Sequence, residues 1–202
     1  SAGDWVEIIF DANEEFVGYD YLTSDVKISR YREAEIKGKK QYQLVFNHTP
    51  FYPEGGGQVG DSGWIQSGEN KTSIFDTKKE NNLIIHLSEK ILGDLSGNFT
   101  AEIDVEKRQL SAENHSATHL LHESLRRVLG DHVTQKGSLV EPSRLRFDFS
   151  HMKPIPTEDI DKIENFVNSM VSKKSDVKTR LMTPDEAVEN GALALFGEKY
   201  GD

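Results

Sequence analysis

The 202-residue sequence contains no cysteine. That excludes an internal disulfide, a thiolate nucleophile and a cysteine metal ligand within these residues. It also fits a reducing, cytoplasmic setting. No apolar run is long enough for a transmembrane helix. The opening SAGDWVEIIF has neither the basic segment nor the apolar stretch of a secretion signal. Internal repeats and low-complexity tracts are absent. Basic residues are outnumbered, 24 against 34 acidic, for a net charge of −10. Such a balance argues against a general nucleic-acid coat. Local RNA contact stays open, because net charge does not say where the charges sit.

What is present suffices for a soluble fold. With 36% hydrophobic and 29% charged residues, the chain can fill one large or two small cores. It starts at Ser1 rather than Met and ends in ALALFGEKYGD without a polar tail. The expectation is a segment cut from a longer protein.

The first hundred residues read as all-β. Alternating runs at VKISRYREAEI, YQLVFN and LIIHLS are separated by the turn-forming pieces PEGGG, GDSG, SGEN and KKENN. A small barrel or sandwich over residues 1–103 is expected. From residue 104 the pattern changes. Asp104 is placed to cap a helix running to Leu129, with Gly130 at its left-handed exit. HVTQKGSLV and RLRFDFS read as paired strands around EPS. Thr157 is placed to cap a second helix, with Ile160, Ile163, Val167, Met170 and Val171 on one buried face. VKTRLM reads as a further strand. Thr183-Pro184-Asp185-Glu186 opens a short helix closed by Gly191. The fold class is α+β: a small N-terminal β-barrel, then an α+β domain over 104–202 with long helices beside an antiparallel sheet.

The stretch ENHSATHLLHESLRRVLG places His115, His119 and His122 on one predicted helix. Helical spacing groups Leu110, Ala117, Leu121, Leu125 and Val128 as the core face. The three histidines fall opposite, on a stripe shared with Arg108 and Arg126. His115 and His119, four residues apart, can both reach one point in space. A His-xxx-His pair supplies half of a tetrahedral zinc site. The metalloprotease motif needs Glu directly after the first histidine, and Ser116 stands there. Spacing alone leaves two readings open, a metal pair or a polar face of titrating histidines.

NHSATHLLHESLRRVLGDHVTQKGSLVEPSRLRFDFSH, residues 114–151, resembles the editing domain of bacterial alanyl-tRNA synthetases. So does FYPEGGGQVGDSGWI, residues 51–65, and GALALFGEKYGD, residues 191–202, is similar to the region before that family's second metal motif. The resemblance implies hydrolysis of serine or glycine wrongly esterified to alanine tRNA. Such proofreading is needed because one methyl group discriminates by only about 1–3 kcal/mol. It implies His115 and His119 as zinc ligands, completed in the family by a Cys-xxx-His motif absent from these residues. His122, His132, His151 and Asp148 are the conceivable substitutes.

The resemblance further assigns Gln135 to the catalytic pocket, where an amide positions an ester or a water. Gly56, Gly57 and Gln58 form its Gly-rich loop beside the cleft, against the plainer reading of a tight turn. Thr118, Lys136 and Arg146 are further cleft candidates. The alternatives are a structural hydroxyl for Thr118, an exposed lysine for Lys136 and pairing with acidic neighbours for Arg144 and Arg146. ATP and magnesium belong to the parent's aminoacylation domain. Expected partners are the aminoacylated 3′ end of alanine tRNA and other domains of the same synthetase, with no membrane. A freestanding trans-editing deacylase and a noncatalytic RNA-binding module are the competing readings.

Overall fold

The computed structural model describes residues 2–91, 93–173 and 186. The chain divides into two compact units, residues 1–114 with 139–144, and residues 115–138 with 145–202. The expected junction at 103/104 marks the change from strand to helix, and the units part later, inside that helix.

The first unit is built from β1 (Val6–Glu7), β2 (Glu15–Phe16), β3 (Thr23–Val26), β4 (Ile28–Ile36), β5 (Lys39–Phe46), β6 (His48–Thr49), β7 (Gly63–Ser67), β8 (Asn70–Ile74), β9 (Asp76–Glu80), β10 (Leu83–Ser88) and β11 (Phe99–Ile103). One sheet has the order β1-β4-β5-β10-β9 and another β3-β11-β7-β8, while β2 and β6 form a short parallel pair. The expected β-rich region is therefore present, divided between two sheets.

Local chemistry sets the registers. Ile36 pairs with Lys39 around Lys37-Gly38, whose φ values are 52° and 74°. Glu80 pairs with Leu83 around Asn81-Asn82, at 48° and 69°. Two successive positive φ angles make type I′ turns, whose twist matches the flanking strands. In β11 alternate residues Phe99, Ala101 and Ile103 are buried, as the period-two geometry of a strand demands. They join Val26, Ile28, Leu44, Phe46, Phe51, Ile65 and Ile74 in one core drawn from both sheets. Each large side chain so buried contributes about 1.5–3 kcal/mol.

A close backbone approach lies beside this core. A Cβ on Gly60 would sit 1.9 Å from the Thr77 carbonyl oxygen, which accepts the Glu54 N–H at 2.9 Å. Gly60→Ala is expected to destabilise the first unit by about 1–3 kcal/mol, the usual cost of overpacking. Urea unfolding followed by tryptophan fluorescence checks this, and an unchanged midpoint would refute it.

The remaining elements are α1 (Val105–Leu129), β12 (Gln135–Glu141), β13 (Arg144–Phe149) and α2 (Thr157–Ser172). Asp104 caps α1 as expected, its Oδ1 accepting the Lys107 N–H at 3.1 Å. Gly130 leaves the helix with φ 118°. β12 and β13 pair. In the second unit Leu125, Val133 and Ile163 form a core flanked by Leu121, Val128, Phe147 and Phe149.

Three expectations need correction. Pro156, not Thr157, is the N-cap of α2, with no side-chain cap bond; Thr157 is already helical. Ile163 alone is buried on α2, whereas Ile160 and Val171 are exposed. The inward face of α1 is also wider than the leucine-rich stripe. Leu125 is buried and Leu121 and Val128 pack on the core as expected, but Ser111, Thr118 and His122 are buried too, and Leu110 is exposed. Small polar side chains on a helix permit close packing, so counting apolar residues made the predicted face too narrow. The expected strand over 177–182, the short helix from Thr183 to Gly191 and the segment 191–202 lie outside the described residues, apart from Glu186.

Candidate functional site

In the first unit, Gly55 and Gln58 exchange backbone hydrogen bonds at 3.1 and 2.9 Å. Gly56 and Gly57 between them have φ 56° and 81°, a conformation that side-chain-bearing residues adopt with strain. The loop is therefore a tight turn, a geometry compatible with either reading of it. The turn also has a partner. Val140 donates its N–H to Gly57 O at 2.7 Å, and Val59 donates to Val140 O at 3.0 Å. The Gly-rich loop thus pairs with the end of β12, the strand that begins with Gln135 and Lys136.

Arg108, expected on the histidine stripe, instead anchors the start of α1. Its Nε donates to Asp61 Oδ2 at 2.9 Å, and Nη2 donates to the same oxygen. Nη1 donates to Gly18 O at 2.8 Å and Nη2 to Pro50 O at 2.7 Å. Asp61 Oδ2 also accepts the Tyr52 N–H at 2.8 Å. No sequence pattern announced this pair, whose members stand 47 residues apart. Arg126 is likewise structural, donating to the Asp131 and Val133 carbonyls. Arg108 and Arg126, expected beside the histidines, are thus both held by structural partners.

In the second unit the structure brings His115 and His119 together, ring centroids 4.9 Å apart. Burial, and then the charge of His119, lowers the pKa of His115. Both effects favour the neutral imidazole, which is the metal-binding form. The two rings fit as half of a zinc donor set. Among the described residues no three His, Cys, Asp or Glu side chains are placed to hold a metal together. Of the conceivable substitutes, His132, His151 and Asp148 are engaged elsewhere. His132 Nε2 lies 2.9 Å from His151 Nδ1, and Asp148 pairs with Arg146 at 3.1 Å.

His122 departs most from expectation. It is buried, with its ring 5.1 Å from Phe147, and its Nε2 has no hydrogen-bond partner among the described residues. Burial is the main cause that lowers its pKa. Thr118 is buried too, in line with its reading as a structural hydroxyl. Gln135 is half-buried and donates from Nε2 to Ser138 Oγ at 3.1 Å. Lys136 is exposed. Arg144 and Arg146 pair with Glu141 and Asp148, as the plainer reading had it.

Residues 6–109 match the family model of tRNA synthetases class II (A). The chain is 49% identical over 205 residues to the alanine-tRNA ligase of Christiangramia forsetii, covering 100% of this chain and 24% of that protein. It is 49% identical to the alanine-tRNA ligase of Cytophaga hutchinsonii, over 98% of this chain and 23% of that protein. With the alanine-tRNA ligase of Parabacteroides distasonis the identity is 50%, over 99% and 23%. The chain spans about a quarter of the length of the curated relatives it matches.

Proposed function

The chain belongs to the tRNA synthetases of class II (A), and from that premise we propose that it is the part of an alanine-tRNA ligase that hydrolyses serine or glycine wrongly attached to alanine tRNA. The observation that carries the reading is the adjacent imidazole pair of His115 and His119, in a chain similar to alanine-tRNA ligases throughout its length.

On this reading His115 and His119 hold zinc, with the remaining ligands supplied outside these residues. Zinc there supplies positive charge that polarises an ester carbonyl or lowers the pKa of a water. The chain's own groups do the rest. Burial disfavours the protonated form of His115, which suits its ring to bind metal rather than to act as a base. Gln135 orients the ester or the attacking water through its amide. The aminoacylated 3′ end of alanine tRNA is the substrate, other domains of the ligase are partners, and the cytoplasm is the location. Among the described residues no helix is long and apolar enough to cross a membrane. ATP and magnesium serve the aminoacylation reaction of the parent.

Hydrolysis of serine-charged alanine tRNA by the full-length parent tests this. His115→Ala and His119→Ala are each expected to lower zinc content and to slow hydrolysis about ten- to a hundredfold, the range seen even for weaker perturbations of metal sites. Normal zinc content and normal serine release in both variants would overturn the assignment. RNA binding that survives both changes, with no hydrolysis in any form, would favour a noncatalytic RNA-binding module.

A further inference from the structure

We propose that the first unit carries a stacking subsite for an unpaired nucleobase bearing an exocyclic amine (adenine, cytosine or guanine, as against uracil) in a cavity beside the Gly-rich loop. The cavity measures about 420 Å³ and is walled by Phe16, Tyr19 and Tyr52, with Glu54, Lys79 and Asn82 at its edge. The identity of the polymer rests on the RNA-handling reading above.

Three observations carry the inference. The walls are aromatic and mutually braced. Phe16 makes T-shaped contacts with Tyr19 at 5.0 Å and 80°, and with Tyr52 at 5.8 Å and 73°. Tyr19 nevertheless stays 83% exposed. A large aromatic ring held in place yet left in water is the arrangement that base stacking requires, and stacking tolerates any base because every base has a π-face.

The rim supplies the polar chemistry. The Lys79 side chain makes no ion pair among the described residues, whereas its neighbour Lys78 is shared between Glu54 and Asp76. Lys79 is therefore available to a phosphate at the edge of the cavity. Glu54 is a carboxylate acceptor, its backbone tied by its N–H to Thr77 O at 2.9 Å. A carboxylate accepts from the exocyclic amine of adenine, cytosine or guanine; uracil has a carbonyl oxygen in place of that amine and offers only its single ring N3–H.

The position agrees with this. Pro53, Glu54 and Gly55 run directly into the Gly56-Gly57 turn, so the same loop that pairs with β12 borders the cavity. A single strand lying against that loop would present its bases to Tyr19 and Tyr52.

Fluorescence anisotropy of labelled single-stranded oligo(A), oligo(C) and oligo(U) against this chain at low salt tests the proposal. Oligo(A) and oligo(C) are expected to bind more tightly than oligo(U). Tyr19→Ala should weaken oligo(A) about tenfold, within the range for losing one base–aromatic stack, while Tyr19→Phe should retain binding. Lys79→Ala should lower the dependence of log K on log salt by about 0.7, one single-strand phosphate contact. Tyr19 and Lys79 are exposed, so neither change threatens the fold. Binding unchanged by Tyr19→Ala, no binding to any oligonucleotide, or equal affinity for oligo(U) would overturn the proposal. The readout is binding alone, so failure of the hydrolysis reading registers separately.

Discussion

Replacing Arg108 by alanine is expected to destabilise the β-rich unit by about 3–5 kcal/mol, the cost of removing one partner from a buried ion pair. The size follows from what is left behind. The Asp61 carboxyl, whose side chain is 5% exposed, would be left with only the Tyr52 N–H as a partner. The carbonyls of Gly18 and Pro50 would lose their donors as well. Arg108→Lys should recover only part of the loss, because one ammonium cannot reproduce a planar fork spanning three acceptor groups. Trp5 and Trp64 both belong to this unit, so tryptophan fluorescence during urea unfolding reports on it selectively. A loss below about 1 kcal/mol would mean that the network contributes no more than a surface pair.

The second large effect concerns His86, which is fully buried between the sheets' side chains. Its Nδ1 lies 2.9 Å from Leu44 O and its Nε2 2.7 Å from Thr49 Oγ1. A carbonyl only accepts, so Nδ1 carries the proton and Nε2 accepts from the threonine hydroxyl. Thr49 Oγ1 in turn accepts the Phe51 N–H at 3.1 Å. The ring stacks on Phe46 at 3.8 Å. Burial pushes its pKa from 6.5 down to about 3, only partly offset by the bond to Leu44.

The unfolded chain therefore takes up this proton first as pH falls. Stability from His86 is fully present above about pH 6.5 and is lost as pH drops toward 3. At about 1.4 kcal/mol per pH unit, the loss between pH 7 and pH 4 is about 3 kcal/mol. His86→Phe removes the titrating group, so its stability should depend less on pH over this window by that amount. It should also be less stable at pH 7, since Leu44 O and the Thr49 hydroxyl lose their partner. Parallel pH dependences for the two proteins would show that His86 does not titrate between them.

Both predictions concern groups that support the fold rather than the chemistry, and both were invisible in the sequence. His86 sits in LIIHLS, where alternation marks a strand but cannot say what meets the ring. Arg108 sits on a helix whose apolar pattern suggested a cationic face. The hydrogen bonds that redirect it come from residues brought near only by folding. His122 was misplaced for the same reason: the face of α1 that turns inward is decided by small residues such as Ser111 and Thr118 and by Leu125 meeting Val133 and Ile163. Average apolar periodicity does not weigh such close packing.

What the sequence by itself determined is what short-range chemistry controls. Asp104 and Gly130 bound α1 because a carboxylate satisfies free N–H groups and glycine accepts a positive φ. KKENN and the Gly-rich loop turn where predicted, through residues that tolerate positive φ. Four-residue spacing was enough to bring His115 beside His119, since one helical turn separates them. The family resemblance, carried by contiguous motifs, was equally legible. Tertiary structure alone decided that Arg108 binds Asp61, that His122 is buried, that the Gly-rich loop pairs with Val140 and that Tyr19 stands exposed over an aromatic cavity. Each depends on contacts between distant parts of the chain, whose free energy is realised only when the intervening strands have packed.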